Sequence, residues 1–145
     1  MSNSIANRLF RPEILAMSAY KVADAKNLIK LDAMENPYCW PEEIKTEWLA
    51  SLKDCPVNRY PDPEAHSLAN ALRDSNQIPT QSGLLLGNGS DEIIQILLMA
   101  LQSDACVLAP EPGFVMYKQV AHSLGLRYIG VPLLAESFDL DMPAM

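Results

Sequence analysis

Gly87-Asn88-Gly89-Ser90-Asp91-Glu92 stands between an apolar run, Leu84-Leu85-Leu86, and an amphipathic stretch over residues 91–102. A strand, a glycine-rich turn and a helix start, in that order, suit a phosphate group. Glycines let the backbone approach the anion, and the first free N–H groups of the helix point at it with the helix dipole behind them. The Ser90 hydroxyl could add one more donor. The same spacing fits a plain capped turn with no ligand, in which Ser90 is the N-cap and Asp91 and Glu92 fill the first turn. No Lys follows the glycines as in a Walker A loop, and Glu92 stands where the dinucleotide fingerprint G-x-G-x-x-G has its last Gly.

Three further segments carry groups that could serve a ligand. In Asn58-Arg59-Tyr60-Pro61-Asp62-Pro63 a tyrosine precedes a proline, which makes its backbone extended and its ring projecting. Pro110-Glu111-Pro112-Gly113-Phe114-Val115-Met116-Tyr117 places two aromatics just past an apolar run, where open α/β sheets bind ligands. Taken singly, Tyr60 and Phe114 are better explained by packing. The fourth segment, Leu31-Asp32-Ala33-Met34-Glu35-Asn36-Pro37-Tyr38, is polar and aromatic and reads alone as a turn before a proline. His66 and His122 are too far apart in sequence to suggest a metal site, and Cys39, Cys55 and Cys106 lack metal-ligand spacing.

Elements to position these groups follow from the pattern. Residues 1–10 read as a flexible tail, and Arg11-Pro12-Glu13 opens a short helix with Pro12 in its first position. Residues 28–33 read as extended. Residues 41–54 predict a helix with Ile44, Trp48, Leu49 and Leu52 on one face and Glu42 and Glu43 at its positive end. A loop over 55–63 leads to a helix over 64–76 with Leu68, Ala69 and Leu72 in its stripe. Strands are expected at 84–86, 105–109 and 126–131, with helices over 91–102 and 114–124 between them. That alternation defines an α/β chain with a mostly parallel sheet covered by helices. Cys106, in an apolar run, is expected to be a buried thiol. Asp141 and Pro143 announce a helix at the last residues, so the chain is expected to be a piece of something longer.

Composition bounds the partners. The chain has 145 residues, 49% hydrophobic and 20% charged, enough for one modest core. A net charge of −7 without basic clusters argues against nucleic acid. No apolar run approaches the roughly 20 residues of a membrane helix. Residues 1–10 lack the apolar stretch of a signal peptide, and three cysteines suit a reducing compartment, hence a cytoplasmic protein.

Taken in order, the four segments resemble the N-terminal part of the histidinol-phosphate aminotransferases, pyridoxal-phosphate (PLP) enzymes of the aspartate-aminotransferase fold. Residues 31–38 resemble the family's L-D-A-N-E-N-P-Y, Arg59-Tyr60-Pro61-Asp62 its R-Y-P-D, residues 87–92 its phosphate loop G-x-G-x-D-E, and residues 112–117 its P-x-[YF]-x-x-Y. Met34 stands where the family usually has Asn, and Cys39 where it usually has Gly.

The resemblance implies the first part of a fold-type I aminotransferase. Residues 1–40 would form an N-terminal arm and substrate-side segment, and residues 41–145 the incomplete start of the large PLP-binding domain. It implies a homodimer joined through the arm and the Tyr60 loop, acting on small molecules. Gly89, Ser90 and Asp91 would hold the cofactor phosphate, Phe114 would stack on its ring, and Tyr60 would donate its hydroxyl to the partner subunit's cofactor. Tyr20, Glu35 and Asn36 would lie near the substrate. No catalytic residue is expected in this chain, because the lysine that carries the cofactor as a Schiff base is expected beyond Met145, and the chain alone is expected to be inactive. An aromatic aminotransferase or a threonine-phosphate decarboxylase shares these cofactor segments. A self-contained, non-catalytic phosphate-binding domain is the alternative from another class.

Overall fold

A computed structural model describes residues 5–19, 24, 26–31 and 35–145. Among these the elements are α1 (Ile5–Leu9), α2 (Pro12–Ala16), α3 (Glu42–Lys53), α4 (His66–Asn76), α5 (Ser90–Met99), β1 (Cys106–Glu111), α6 (Val115–Leu124) and β2 (Arg127–Pro132). The contacts divide the chain into two units, one of Met1–Ala19 with Gly83–Met145, the other Tyr20–Ser82.

The first unit is built on one parallel strand pair. β1 and β2 run in register from Cys106 opposite Arg127 to Glu111 opposite Pro132. Parallel strands need a crossover to bring the chain back to its starting end, and α6 supplies it. Val120 and Ala121 on α6 are buried with Ala109, Leu126 and Val131, which together are the core. Gly125 ends α6 with φ +79°, and Leu126 donates its N–H back to the Ala121 carbonyl at 2.9 Å. This left-handed closure, which glycine adopts without steric cost, turns the chain directly into β2.

Several elements differ from what the sequence pattern predicts. Residues 5–9 form a helical turn, not a tail, closed by the Phe10 N–H on the Ala6 carbonyl at 2.9 Å. Leu84-Leu85-Leu86 is not a strand. A strand exists through its ladder, and the sheet among the described residues has two members, β1 and β2. Residues 28–31 form no ladder, and 32–34 lie outside the described residues. Cys106 is half-buried rather than buried, because β1 is covered incompletely along its length. The turn that Asp141 announces does form: Ala144 donates its N–H to the Asp141 carboxylate at 3.2 Å. In the second unit α3 and α4 start within two residues of expectation, but the α3 stripe of Ile44, Trp48, Leu49 and Leu52 stays exposed. Trp40 and Trp48 meet edge to face at 5.8 Å.

Arg11 ties the chain's start to the crossover helix. Its guanidinium donates to the Ser123 carbonyl in the last turn of α6, where the helix dipole favours a cation. Gln119 donates to the Ser18 carbonyl at 3.4 Å. A Cβ on Gly125 would sit 2.5 Å from Arg11 Nη1, so the glycine that ends α6 also makes room for the arginine. Arg11→Ala should speed amide exchange at Leu15 and Met17 about five-fold, as loss of a partly exposed charge-assisted bond implies, and leave β1 and β2 unchanged. Unaltered protection at those two amides would mean that α2 is held by packing alone.

Candidate functional site

The loop before α5 is shaped by two glycines with separate reasons. A Cβ on Gly87 would lie 2.8 Å from Ile93 Cδ1 and 2.9 Å from Glu92 Oε2, so a larger residue there would push both side-chain ends aside. Gly89 has φ +87°, in the region that favours glycine, and open space where a Cβ would be. Gly89, not Ser90, is the N-cap of α5. Ser90 is the first helical residue, and no side chain caps this helix end. The plain capped turn with a Ser90 cap is therefore not what forms, because a glycine with positive φ already turns the chain one residue earlier. Among the described residues no side-chain cap bond occupies the start of this ten-residue helix, at the exposed Ser90 and Asp91, where the first N–H groups lack helical partners.

Glu92 closes the loop from behind. Its carboxylate accepts the Asn88 backbone N–H at 2.5 Å and the Asn88 side-chain amide at 3.1 Å. The arrangement resembles a capping box shifted by one residue. From the sequence, Glu92 reads only as a break in a glycine pattern; the available signal was an acid in the third helical position.

Phe114 lies in the same unit, at the N-terminus of α6, where β1 ends. Its side chain is half exposed and meets Tyr117 edge to face at 5.7 Å. An open groove of about 500 Å³ runs beside it, lined in part by Glu111, Phe114, Lys118 and Tyr128. Lys118, which reads in sequence as a solvated lysine, lies 3.5 Å from Glu111 and 5.5 Å over the Tyr128 ring. Desolvation, then the Glu111 charge and a hydrogen bond to it, raises the Tyr128 phenol above its ordinary value. This Glu111–Lys118–Tyr128 group escapes sequence reading, since its members come from a strand end, a helix and the next strand.

The second unit holds the other expected positions. Tyr60 is fully exposed, at 101%. Asn36 accepts the Tyr38 N–H at 3.0 Å, and Glu35 pairs with Lys30 at 3.4 Å. Tyr20 lies outside the described residues. Two residues after Tyr60, Asp62 is a hub that sequence reasoning missed. Its carboxylate accepts the Glu64 N–H at 3.1 Å and the His66 N–H at 2.8 Å, with His66 Nδ1 also at 2.8 Å. The His66 Nε2 lies 2.9 Å from Glu64.

The chain belongs to the aminotransferase class I and II family, whose sequence profile matches residues 26–145. It is 51% identical over 142 residues to a histidinol-phosphate aminotransferase of Thiocapsa roseopersicina, covering 97% of this chain and 75% of that protein. It is 56% identical over 136 residues to histidinol-phosphate aminotransferase 2 of Nitrosococcus oceani, covering 93% of this chain and 38% of that protein. A histidinol-phosphate aminotransferase of Chromobacterium violaceum is 51% identical over 138 residues, 94% of this chain and 38% of that protein. The chain thus spans well under half the length of the latter two. Among the described residues, no helix is long and apolar enough to cross a membrane.

The backbone N–H of His66, then its ring, then the Glu64 N–H hold the Asp62 carboxyl below its ordinary value of 3.8. A lowered folded value means that this clamp contributes stability above pH 3.8 and loses it as pH falls through the lower value. A carboxyl-carbon NMR titration should place the Asp62 midpoint below 3.8, and His66→Ala should move it back toward 3.8. A midpoint already at 3.8 in the unsubstituted protein would contradict the clamp.

Proposed function

We propose that this chain is the N-terminal part of a histidinol-phosphate aminotransferase. The whole protein would exchange an amino group between the glutamate/2-oxoglutarate pair and the imidazole-acetol phosphate/histidinol phosphate pair, in histidine biosynthesis. The observation that carries the reading is 51–56% identity over 93–97% of the chain with proteins of that name. The protein acts as a cytoplasmic homodimer with PLP. Residues 1–40 serve as arm and substrate-side segment, and 41–145 begin the large domain.

The residues present fit the cofactor. PLP, when bound, supplies an electron-withdrawing π-system that makes the substrate Cα proton acidic. The uncapped start of α5 suits its phosphate: the open turn at Gly89 admits the anion, and the Ser90 and Asp91 N–H groups bind it. The half-exposed Phe114 ring would stack on the cofactor ring and exclude water there. Tyr60, with no packing role in its own unit, is free to donate its hydroxyl to the phosphate held by the partner subunit. Glu35 and Asn36 would lie near the substrate. The nucleophilic lysine is supplied from outside this chain, which alone is inactive.

The direct test is the complete protein with PLP, glutamate and imidazole-acetol phosphate. Formation of 2-oxoglutarate and histidinol phosphate is expected. A preference for aromatic 2-oxo acids, decarboxylation of threonine phosphate, or failure to bind PLP would each overturn the reading.

Subunit mixing tests the phosphate contacts. Ser90→Pro removes one N–H at a helix position that accepts proline, and Tyr60→Phe removes one hydroxyl. Each should weaken PLP binding by about 1.5–3 kcal/mol, the range for a hydrogen bond to a charged group. In a mixed dimer of the two variants, one site regains both a working α5 start and a partner tyrosine. Activity should rise to as much as half the unsubstituted level. Activity equal to the mean of the two parents would place Tyr60 within its own subunit's chemistry, or outside the site.

A further inference from the structure

A fully exposed side chain has no packing to aim it; only its backbone does. Tyr60 is such a residue, and its backbone is held by two turns. Upstream, the Arg59 N–H bonds the Pro56 carbonyl at 2.9 Å. Downstream, the Ala65 N–H bonds the Asp62 carbonyl at 3.1 Å, and the Asp62 carboxylate takes the N–H groups of Glu64 and His66. His66 is the first residue of α4, so this carboxylate fastens the Tyr60 loop to a helix of eleven residues. Ala65, the α4 N-cap, is held at φ +47°, a left-handed conformation that costs an alanine energy. The alanine makes no cap bond of its own, and Asp62 supplies the acceptor that α4 otherwise lacks.

We infer that Asp62 is the positioning residue for Tyr60: by locking residues 62–66 onto the start of α4, it fixes where the phenol points. The inference rests on the proposed role of Tyr60 toward a phosphate in the partner subunit. Asp62 touches neither cofactor nor substrate in this scheme. Its effect therefore passes through the Tyr60 hydroxyl and applies to the phosphate alone.

The experiment measures equilibrium binding of PLP and of pyridoxal, which lacks the phosphate, to the complete apo-dimer, with thermal melting of each variant as the check on folding. Asp62→Ala should weaken PLP about ten-fold, as misdirecting one hydrogen bond to a charged group implies, and leave pyridoxal binding unchanged. In the Tyr60→Phe background, Asp62→Ala should add nothing further. Asp62→Asn leaves one acceptor oxygen for the two N–H groups and should lose less PLP affinity than Asp62→Ala; should Asp62→Ala fail to fold, Asp62→Ser, likewise with one acceptor, is read on the same two ligands and expected to lose PLP affinity selectively. Equal loosening of PLP and pyridoxal, or additive losses with Tyr60→Phe, would overturn the inference. So would unchanged PLP binding in Asp62→Ala beside a weakened Tyr60→Phe. Unchanged PLP binding in Tyr60→Phe itself would instead overturn the reading of Tyr60 on which the inference stands.

Discussion

Two parallel strands cannot be joined by a tight turn, and the first unit follows from that constraint. β1 and β2 start at the same end, so the chain must travel back along α6 between them. The return path decides what is buried: Val120 and Ala121 on the helix, Ala109 and Val131 on the strands, and Leu126 at the junction. It also puts Phe114 at the carboxyl end of β1, where the backbone leaves the sheet. The short connection from β1 to α6 puts the start of α6 at that end, which is where open α/β sheets receive ligands.

Legibility in the sequence tracked how local the cause was. Pro12 in the first turn of α2, Pro41 before α3 and Gly125 after α6 each act within a residue or two, and each boundary lies close to where its residue places it. The helix over 91–102 and the strands near 105–109 and 126–131 were readable because apolar periodicity and punctuation agree there. Leu84-Leu85-Leu86 is an apolar run of the kind strands contain, but a strand depends on a partner elsewhere in space, which no local pattern supplies. Cys106 shows the same limit for burial, since apolar neighbours in sequence do not guarantee a covering layer.

The candidate site divides in the same way. The glycine-rich turn and the helix start after it were visible because they are carried by a few consecutive residues. Whether Ser90 or Gly89 stands at the cap depended on a single backbone angle at Gly89, which composition does not encode. The Glu111–Lys118–Tyr128 group and the Asp62–His66 clamp were missed for different reasons. The first is assembled across three elements. The second is local, but nothing in the sequence marks Ala65 as left-handed, and only that conformation brings the Asp62 carboxylate onto the start of α4.

The carboxylate of Glu92, folded back on Asn88, bears on the kinetics of ligand capture. Loops that order around an anion give up conformational entropy at the moment of binding, and that loss is subtracted from the affinity. Here the acid has already fixed the turn, and its negative charge is engaged on the Asn88 amides. A phosphate arriving at α5 would meet donors in place, so its encounter would be governed by diffusion and the helix field rather than by a search through loop conformations.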